Sequence, residues 1–465
     1  MSQLMRGFLA AAALAGLTEI SFGAEKFERL PPLQPAVIRT ARQEPVPAAQ
    51  PETITPTPSA ARSDVPNSAA QGYVPPIIHE LLTLESLQGL AVANNPALAQ
   101  AAGRVTAAQG KYIQSGLPLN PNLGYTGQQL GSPTSTQHGV LFSQEFIRGN
   151  KLSLQQQAAC HEWEMARQLY EAQRGRVLTD TRNSYYDVLV AQELIQLNQR
   201  LIEISNQSVE FAQRKFAAKE GTKIDTLQAK IESDQVRLAL QRSQFRADAS
   251  WRRLVAVVSV PLSMQPVAGQ LSATGLPLTW DEAWQRVATE SPELAAASSD
   301  IQRARWHLHR QRAEPIPNLT VQAIIQHDQD IQNWDGAIQA TFPLPIRNKY
   351  QGSILQADGE LHAAERNLDR LRHQLQQRLS DAFQRYQDAK AEVESYSQEI
   401  IPAAQESLQL TSAGYRAGEF PFDHVLMAQR TLFTAKVNQV EALGKLQSSY
   451  AEIDGLLLTG SLGGP

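Results

Sequence analysis

Apolar positions along this chain change period twice, and they do so in the same order in each half. From Thr83 they recur at helical spacing (Leu84, Leu87, Leu90, Ala91), which predicts an amphipathic helix with Thr83 as its cap. The pattern runs to about Leu117, where Gly116 and Pro118 end it, and Pro96 is expected to kink it on the way. A second such pattern starts at the capping residue Thr279, runs through Trp280, Trp284 and Val287, meets Pro292, and stops at Pro315 and Pro317. After each stop the period falls to two, the signal of a half-buried strand. Leu319, Val321, Ala323 and Ile325 share one face, with Thr320, Gln322 and Gln326 opposite. Val140, Phe142 and Phe146 oppose Leu141, Ser143 and Glu145, and Ile338, Ala340 and Phe342 oppose Gln339 and Thr341. Two hairpins follow, over 120–147 and 316–344. Their strands have the length of about 9 to 11 residues that a tilted transmembrane β-strand needs, although the same alternation would also suit a hairpin in water.

The period then returns to helical and stays there. No proline occurs between Asn150 and Ala218, so a helix over 150–218 would measure roughly 100 Å at about 1.5 Å per residue. Its second half carries two apolar stripes. One holds Val190, Leu194, Leu197, Leu201, Ile204 and Phe211; the other holds Val188, Ile195, Ile202, Val209 and Phe216. A helix with two apolar seams has neighbours on both sides, as in the wall of a helical barrel. A return helix over 222–258 keeps the heptad line Ile224, Ile231, Leu238 and Phe245. The second half repeats the design with a long helix over 348–417, interrupted at Pro402, and a return helix over 421–458.

The two halves match in residues as well as in period. Leu82-Thr83 is echoed by Leu278-Thr279, Pro96-Ala97-Leu98 by Pro292-Glu293-Leu294, and Pro121-Asn122-Leu123 by Pro317-Asn318-Leu319, each 196 residues on. Residues 81–270 and 271–465 are therefore two structural repeats. Four strands per chain cannot close a barrel around water, and open edges in lipid leave backbone groups unpaired. Closure calls for further copies of the chain. Three would give twelve strands, and with the internal repeat a near sixfold wall.

Ahead of the repeats lie two segments of different composition. Arg6, the apolar run Gly7 to Leu17 and the small residues Ser21-Phe22-Gly23-Ala24 read as a signal peptide over 1–24, with an apolar core too short to span a bilayer. Residues 25–80 are rich in proline, among them Pro31, Pro32, Pro35, Pro45, Pro47 and Pro51, and are expected to be a disordered tether. The single cysteine, Cys160, allows no internal disulfide, and none stands at the cleavage site to carry a lipid. With 42 Lys and Arg against 46 Asp and Glu, the net charge of −4 gives no basic footprint for nucleic acid. No nucleophile elbow, Walker loop, Cys-rich metal site or HExxH sequence occurs. His307 and His309, two apart on a helix, point to different faces. The expectation is a protein with no enzyme activity, no cofactor and no metal site.

The segments LTLESLQGLAVANNPAL (82–98) and LTWDEAWQRVATESPEL (278–294), the two Pro-Asn-Leu corners, and the turns KFAAKEGTKIDTLQA (215–229) and GYRAGEFPFDHVLMAQRTL (414–432) together resemble the TolC-like outer-membrane efflux family over about residues 80–460. The resemblance implies a mainly helical fold with a membrane β-barrel: a homotrimer with a 12-stranded barrel in outer-membrane lipid and a long α-helical tunnel into the periplasm. It implies a passive duct docked on a periplasmic adaptor and an inner-membrane efflux pump, exporting metal cations or small toxic compounds. In the family the tunnel closes at helix-turn-helix tips ringed by acidic and tyrosine side chains. Asp225 and Tyr415 match such positions, whereas His424 and Met427 stand where two acidic residues are usual, with Asp423 one place earlier. Asp225 and Asp423 would then supply the negative ring and His424 pH sensitivity; alternatively, His424 and Met427 pack between the tip helices. The tip turns, with Lys219, Glu220, Gly221, Gly418 and Glu419, resemble the adaptor-docking loops, and their glycines suit a tight reversal. Two other readings stand beside this one: a type I protein-secretion duct of the same fold, and a pore-less periplasmic coiled-coil adaptor, which would leave the duplicated hairpins unused.

Overall fold

The computed structural model describes residues 82–128, 137–272, 279–329 and 332–463. The expected signal peptide and proline-rich tether lie outside them. The first repeat contains α1 (Leu84–Asn94), α2 (Pro96–Ser115), β1 (Asn122–Gln128), β2 (Gln137–Phe146), α3 (Lys151–Ala217) and α4 (Lys223–Val258). The second contains α5 (Trp280–Glu290), α6 (Pro292–Arg312), β3 (Leu319–Asp328), β4 (Asn333–Thr341), α7 (Gln351–Ser395), a π-helical turn (Tyr396–Ile400), α8 (Ile401–Ala417) and α9 (Phe422–Asp454).

Thr83 and Thr279 both cap their helices through capping boxes, with Ser86 and Glu282 as the reciprocal partners. The expected kink at Pro96 is instead a break. Asn95 leaves the helical region, its Oδ1 accepts from the Ala97 amide at 2.9 Å, and Pro96 becomes the first residue of a new helix. Proline lacks the amide a continuing helix would use but fits the first turn of a fresh one, so the chain restarts rather than bends. The Asn95 side chain, 2% exposed, also donates to the Val257 carbonyl at 2.9 Å, which ties the break to the end of α4. Pro292 restarts the second copy in the same way after Ser291. In the long helix of the second repeat Pro402 follows the π-helical turn, a wider turn that accommodates the amide proline cannot supply.

The strands form one antiparallel sheet in the order β1-β2-β3-β4, so the two hairpins are joined through β2 and β3 and both outer edges are unpaired among the described residues. Register aligns Leu123, Phe142, Ala323 and Ile338 across all four strands, with Tyr125, Val140 and Ile325 in the next row of that face. These side chains have no core to cover them: Leu123 is 78% exposed and Ile338 81%. The opposite face carries the rows Asn122, Ser143, Gln322, Gln339 and Thr126, Gly139, Gln326, Asp335. The pair Leu141 and Ile324 is an apolar interruption of that wet face. Gly139 lets the strands meet there, since a Cβ would lie 2.6 Å from the Ile325 carbonyl oxygen.

At 67 residues α3 is about 100 Å long. It packs against α4 on one side and α9 on the other, while α2 and α6 cover its first half. The seam toward α4 runs through small residues. Ala191, Asn198, Ser205 and Ala212 are buried, and Asn198 donates to Ser243 Oγ at 2.9 Å. Toward α9 the approach is close at Gly444, where a Cβ would meet Val190 at 2.3 Å. Two equivalent cores form where the short helices lie on the long ones. One joins Leu87 and Ala91 to Val177, Val188 and Leu254; the other joins Ala283 and Val287 to Leu375, Leu379, Tyr386 and Ile453. Among the described residues no helix is long and apolar enough to cross a membrane.

Two charged clusters bind the repeats together. Glu293 at the start of α6 accepts from Arg176 at 2.5 Å and from Arg378 at 3.3 Å. Asp454 at the end of α9 accepts from Arg182 of α3 at 2.7 Å and Arg286 of α5 at 2.8 Å. Burial alone would push the Asp454 carboxyl up, but hydrogen bonds and charge from Arg286 and Arg182 outweigh it and hold the group below the usual aspartate range. A carboxyl depressed in the folded state contributes stability above its unfolded pKa of about 3.9, and that contribution is lost as pH falls through the lower folded value. Asp454→Asn should therefore cost about 1 to 3 kcal/mol at pH 7. The deficit against wild type in thermal unfolding should shrink below about pH 4, and a pH-independent deficit would refute the assignment. Asn95→Ala, which removes a cap and leaves the Val257 carbonyl without its partner, should cost about 1 to 2 kcal/mol by the same measurement.

Candidate functional site

The two places where the long helices reverse lie together. Ala212 and Ala229 of the first turn's helices share a buried cluster with Phe422, Val425 and Leu426 of the second, and Phe211, Leu408 and Tyr415 pack against it. Tyr415 meets Phe211 edge-on at 5.7 Å between ring centroids and Phe422 at 5.3 Å. Two further links continue the junction upward: Gln429 Nε2 donates to Ser208 Oγ at 3.0 Å, and Arg430 pairs with Glu232 at 2.6 Å.

At the first tip the left-handed residue is Lys219 (φ 62°), not Gly221. Gly221 serves another purpose, because a Cβ there would press within 3.1 Å of Lys215 Cβ. The Glu220 amide closes the turn on the Lys215 carbonyl at 2.9 Å, and the two side chains pair at 2.6 Å in solvent. Hydrogen bonding to Lys215, with its charge, holds the Glu220 carboxyl below its ordinary range. Thr222 then starts α4 through a capping box in which Asp225 Oδ2 accepts from the Thr222 amide at 2.9 Å and Thr222 Oγ1 accepts from the Asp225 amide at 3.1 Å. Asp225 is thus a capping carboxylate as well as a charge at the tip.

The second tip uses glycine where the backbone demands it. Gly418 has φ 80°, and the Glu419 amide closes on the Gly414 carbonyl at 2.8 Å. Gly414 admits the Phe420 ring, which a Cβ would meet at 2.4 Å. His424 is exposed and stacks parallel on Phe420 at 5.7 Å, while its amide donates to Asp423 Oδ1 at 3.0 Å. Met427 is 68% exposed. Within the chain, Val425 and Leu426 pack between the tip helices. The helix starts one residue after Pro421 and turns Phe422, Val425, Leu426 and Gln429 inward, leaving 423, 424 and 427 on the free face.

Charges of the first tip act on a group of the second. Burial first, and then the Asp225 carboxylate, push the Tyr415 hydroxyl above its usual range, with Lys215 opposing. Lys215, Glu220, Asp225 and Tyr415 therefore form one electrostatic cluster across both turns. Phe211 and Phe422 carry this junction, Phe420 packs on Gly414 beside it, and none of the three was among the expected site residues. The sequence signal for Phe420 was a bulky aromatic six residues after Gly414 in the short run GYRAGEF.

Comparison with known proteins agrees with this architecture. The sequence profile described as Outer membrane efflux protein matches residues 87–259 and 283–457, one segment in each repeat. The cobalt-zinc-cadmium resistance protein CzcC of Cupriavidus metallidurans is 26% identical over 377 residues, covering 81% of this chain and 90% of CzcC. The pyoverdine export outer membrane protein OpmQ of Pseudomonas aeruginosa is 25% identical over 414 residues, covering 79% and 83%. A crystal structure of CusC superposes with a TM-score of 0.70 at 17% identity over 81% of this chain and 92% of that one, which establishes the TolC-like fold. With both repeats matched and the hairpin, long-helix and tip order reproduced, the chain belongs to the outer membrane efflux protein family.

Proposed function

We propose that this chain is the outer-membrane exit duct of a tripartite efflux system, a homotrimer that passes metal cations or small toxic compounds delivered by an inner-membrane pump through a periplasmic adaptor. The observation that carries this reading is the sheet: one face apolar and uncovered, the other polar, both edges unpaired, and helices of about 100 Å leading away from it. A lone chain with that sheet is unsuited to water on one face and to lipid at both edges. Three copies pairing edge to edge satisfy both, with the polar rows facing a water-filled lumen.

The internal repeat supports the same arrangement among the helices. Within the chain the return helix α9 covers one flank of α3. The equivalent return helix α4 leaves the line Ile224, Ile231, Leu238 and Phe245 exposed, Ile224 at 65% and Phe245 at 62%. The long helix of the second repeat in a neighbouring copy is the equivalent partner for that line. Such a duct does no covalent chemistry, and its energy comes from the pump. The likeness to CzcC and OpmQ over about four-fifths of this chain favours efflux over protein secretion as its task. A pore-less adaptor would have no use for an uncovered apolar sheet face.

In this reading the tips close the periplasmic end. Asp225, Tyr415, Asp423 and His424, with Met427 beside them, line the aperture, and Lys219, Glu220, Gly221, Gly418 and Glu419 meet the adaptor. The solvent-exposed Lys215–Glu220 pair and the free face at 423, 424 and 427 support this assignment.

Single-channel recording tests the aperture. Asp225→Ala and Asp423→Ala should each reduce cation preference, and the wild-type conductance should vary between about pH 5 and 8 and lose that variation in His424→Ala. Unchanged selectivity and pH profile in all three variants would reject the ring. Ile231→Asp together with Phe245→Asp should abolish the oligomer on native gels while helix content by circular dichroism persists; an intact oligomer would show that this line is not the subunit contact.

A further inference from the structure

The sequence gives no metal-binding spacing, and the histidines of the two hairpins lie far apart along the chain. The sheet register changes that, because His138 of β2 and His327 of β3 are directly opposite each other. They occupy the row Gly127, His138, His327, Trp334, on the same face as Leu123, Phe142 and Ile338. Opposed residues of an antiparallel pair have Cβ atoms about 4.5 to 5.5 Å apart, a span that lets two side chains converge on one ion above the sheet.

Each imidazole is flanked by an aromatic residue on the side away from the other strand. Tyr125 Oη hydrogen-bonds His138 Nδ1, and the two rings stack with centroids 6.0 Å apart. Trp334 meets the His327 ring edge-on at 5.0 Å. Gly127 has no side chain to fill the row beside His138, so Tyr125 reaches it from the diagonal position. Tyr125 leaves His138 Nε2 as the unengaged nitrogen, and among the described residues neither ring nitrogen of His327 has a hydrogen bond. Both histidines are half-buried and stand one residue from the loop ends of β2 and β3, so in the proposed barrel the site lies at the outer margin of the lipid-facing face, where a small ion can reach it from water.

We infer that His138 and His327 form a two-imidazole chelating site for a d-block divalent cation of the Cu2+, Ni2+ or Zn2+ type. Neutral imidazole nitrogen suits these ions, and the harder Mg2+ and Ca2+ prefer oxygen. Water completes the coordination sphere. Tyr125 is a positioning residue: it holds Nδ1 of His138 and so directs Nε2 to the metal, in the manner of the outer partners that orient metal-bound histidines. Nothing in the site requires the lumen or a second copy of the chain; it requires only the β2–β3 register, and its failure would leave the duct reading untouched.

The test is Cu2+ titration of the purified full-length protein in detergent, read by electron paramagnetic resonance. Wild type should bind one Cu2+ per chain with superhyperfine splitting from two imidazole nitrogens. His138→Gln and His327→Gln should each lose that species, and the exposed His362→Gln should retain it. Tyr125→Phe should keep the two-nitrogen spectrum with affinity about tenfold weaker. Equal uptake and equal spectra in wild type and both histidine variants would overturn the site, as would a wild-type spectrum with a single nitrogen ligand. If the variants do not assemble, diethylpyrocarbonate labelling of wild type with and without Zn2+ decides. Selective protection of His138 and His327 supports the chelate, and labelling unaffected by Zn2+ contradicts it.

Discussion

Backbone hydrogen bonding at the two outer strands is the constraint on which the rest of this structure depends. β1 and β4 each present a row of amides and carbonyls with no partner among the described residues, beside a face on which Leu123 and Ile338 are largely uncovered. In water the apolar face is the liability; in lipid the open edges are. Both are removed at once when copies pair edge to edge. The helical part follows from the same geometry, because in the proposed trimer a chain that contributes one third of the barrel also contributes one third of the wall beneath it. α3 accordingly has neighbours along both flanks within the chain, whereas α4 keeps an apolar line with no neighbour there.

The internal repeat makes this economical without making the halves identical. The two equivalent cores are built from different side chains, Leu87 and Ala91 in one and Ala283 and Val287 in the other. The tips differ more. The first holds a left-handed lysine and an exposed ion pair; the second holds a left-handed glycine and an aromatic stack of Phe420 on His424. Tyr415 of the second tip is buried against the first, and the Asp225 carboxylate there adds to the upward push on its hydroxyl.

Much of this was legible in the chain. Period-two alternation around Val140 and Leu319 marked the strands, and the proline-free run after Asn150 marked the long helix, because both signals are set by which residues face apolar surroundings. The proline effects were only half legible. Pro96 announced an interruption, yet whether a helix bends or restarts depends on a partner such as the Val257 carbonyl, 162 residues away, holding Asn95 outside the helix. The same limit applied at the tips. A glycine at 221 suggested a tight reversal, but the left-handed residue is Lys219 while Gly221 makes room for Lys215. Likewise, the pairing of His138 with His327 is a matter of register between hairpins, which no local pattern encodes. Local periodicity reports a side chain's surroundings; it does not report which distant residue supplies them.

The central claim is that one chain cannot satisfy its own sheet, and the most direct test is the mass of the intact particle. Native mass spectrometry of the wild-type protein released from detergent micelles should give a single species of three chains. A monomer that remains dispersed in buffer without detergent would contradict the account.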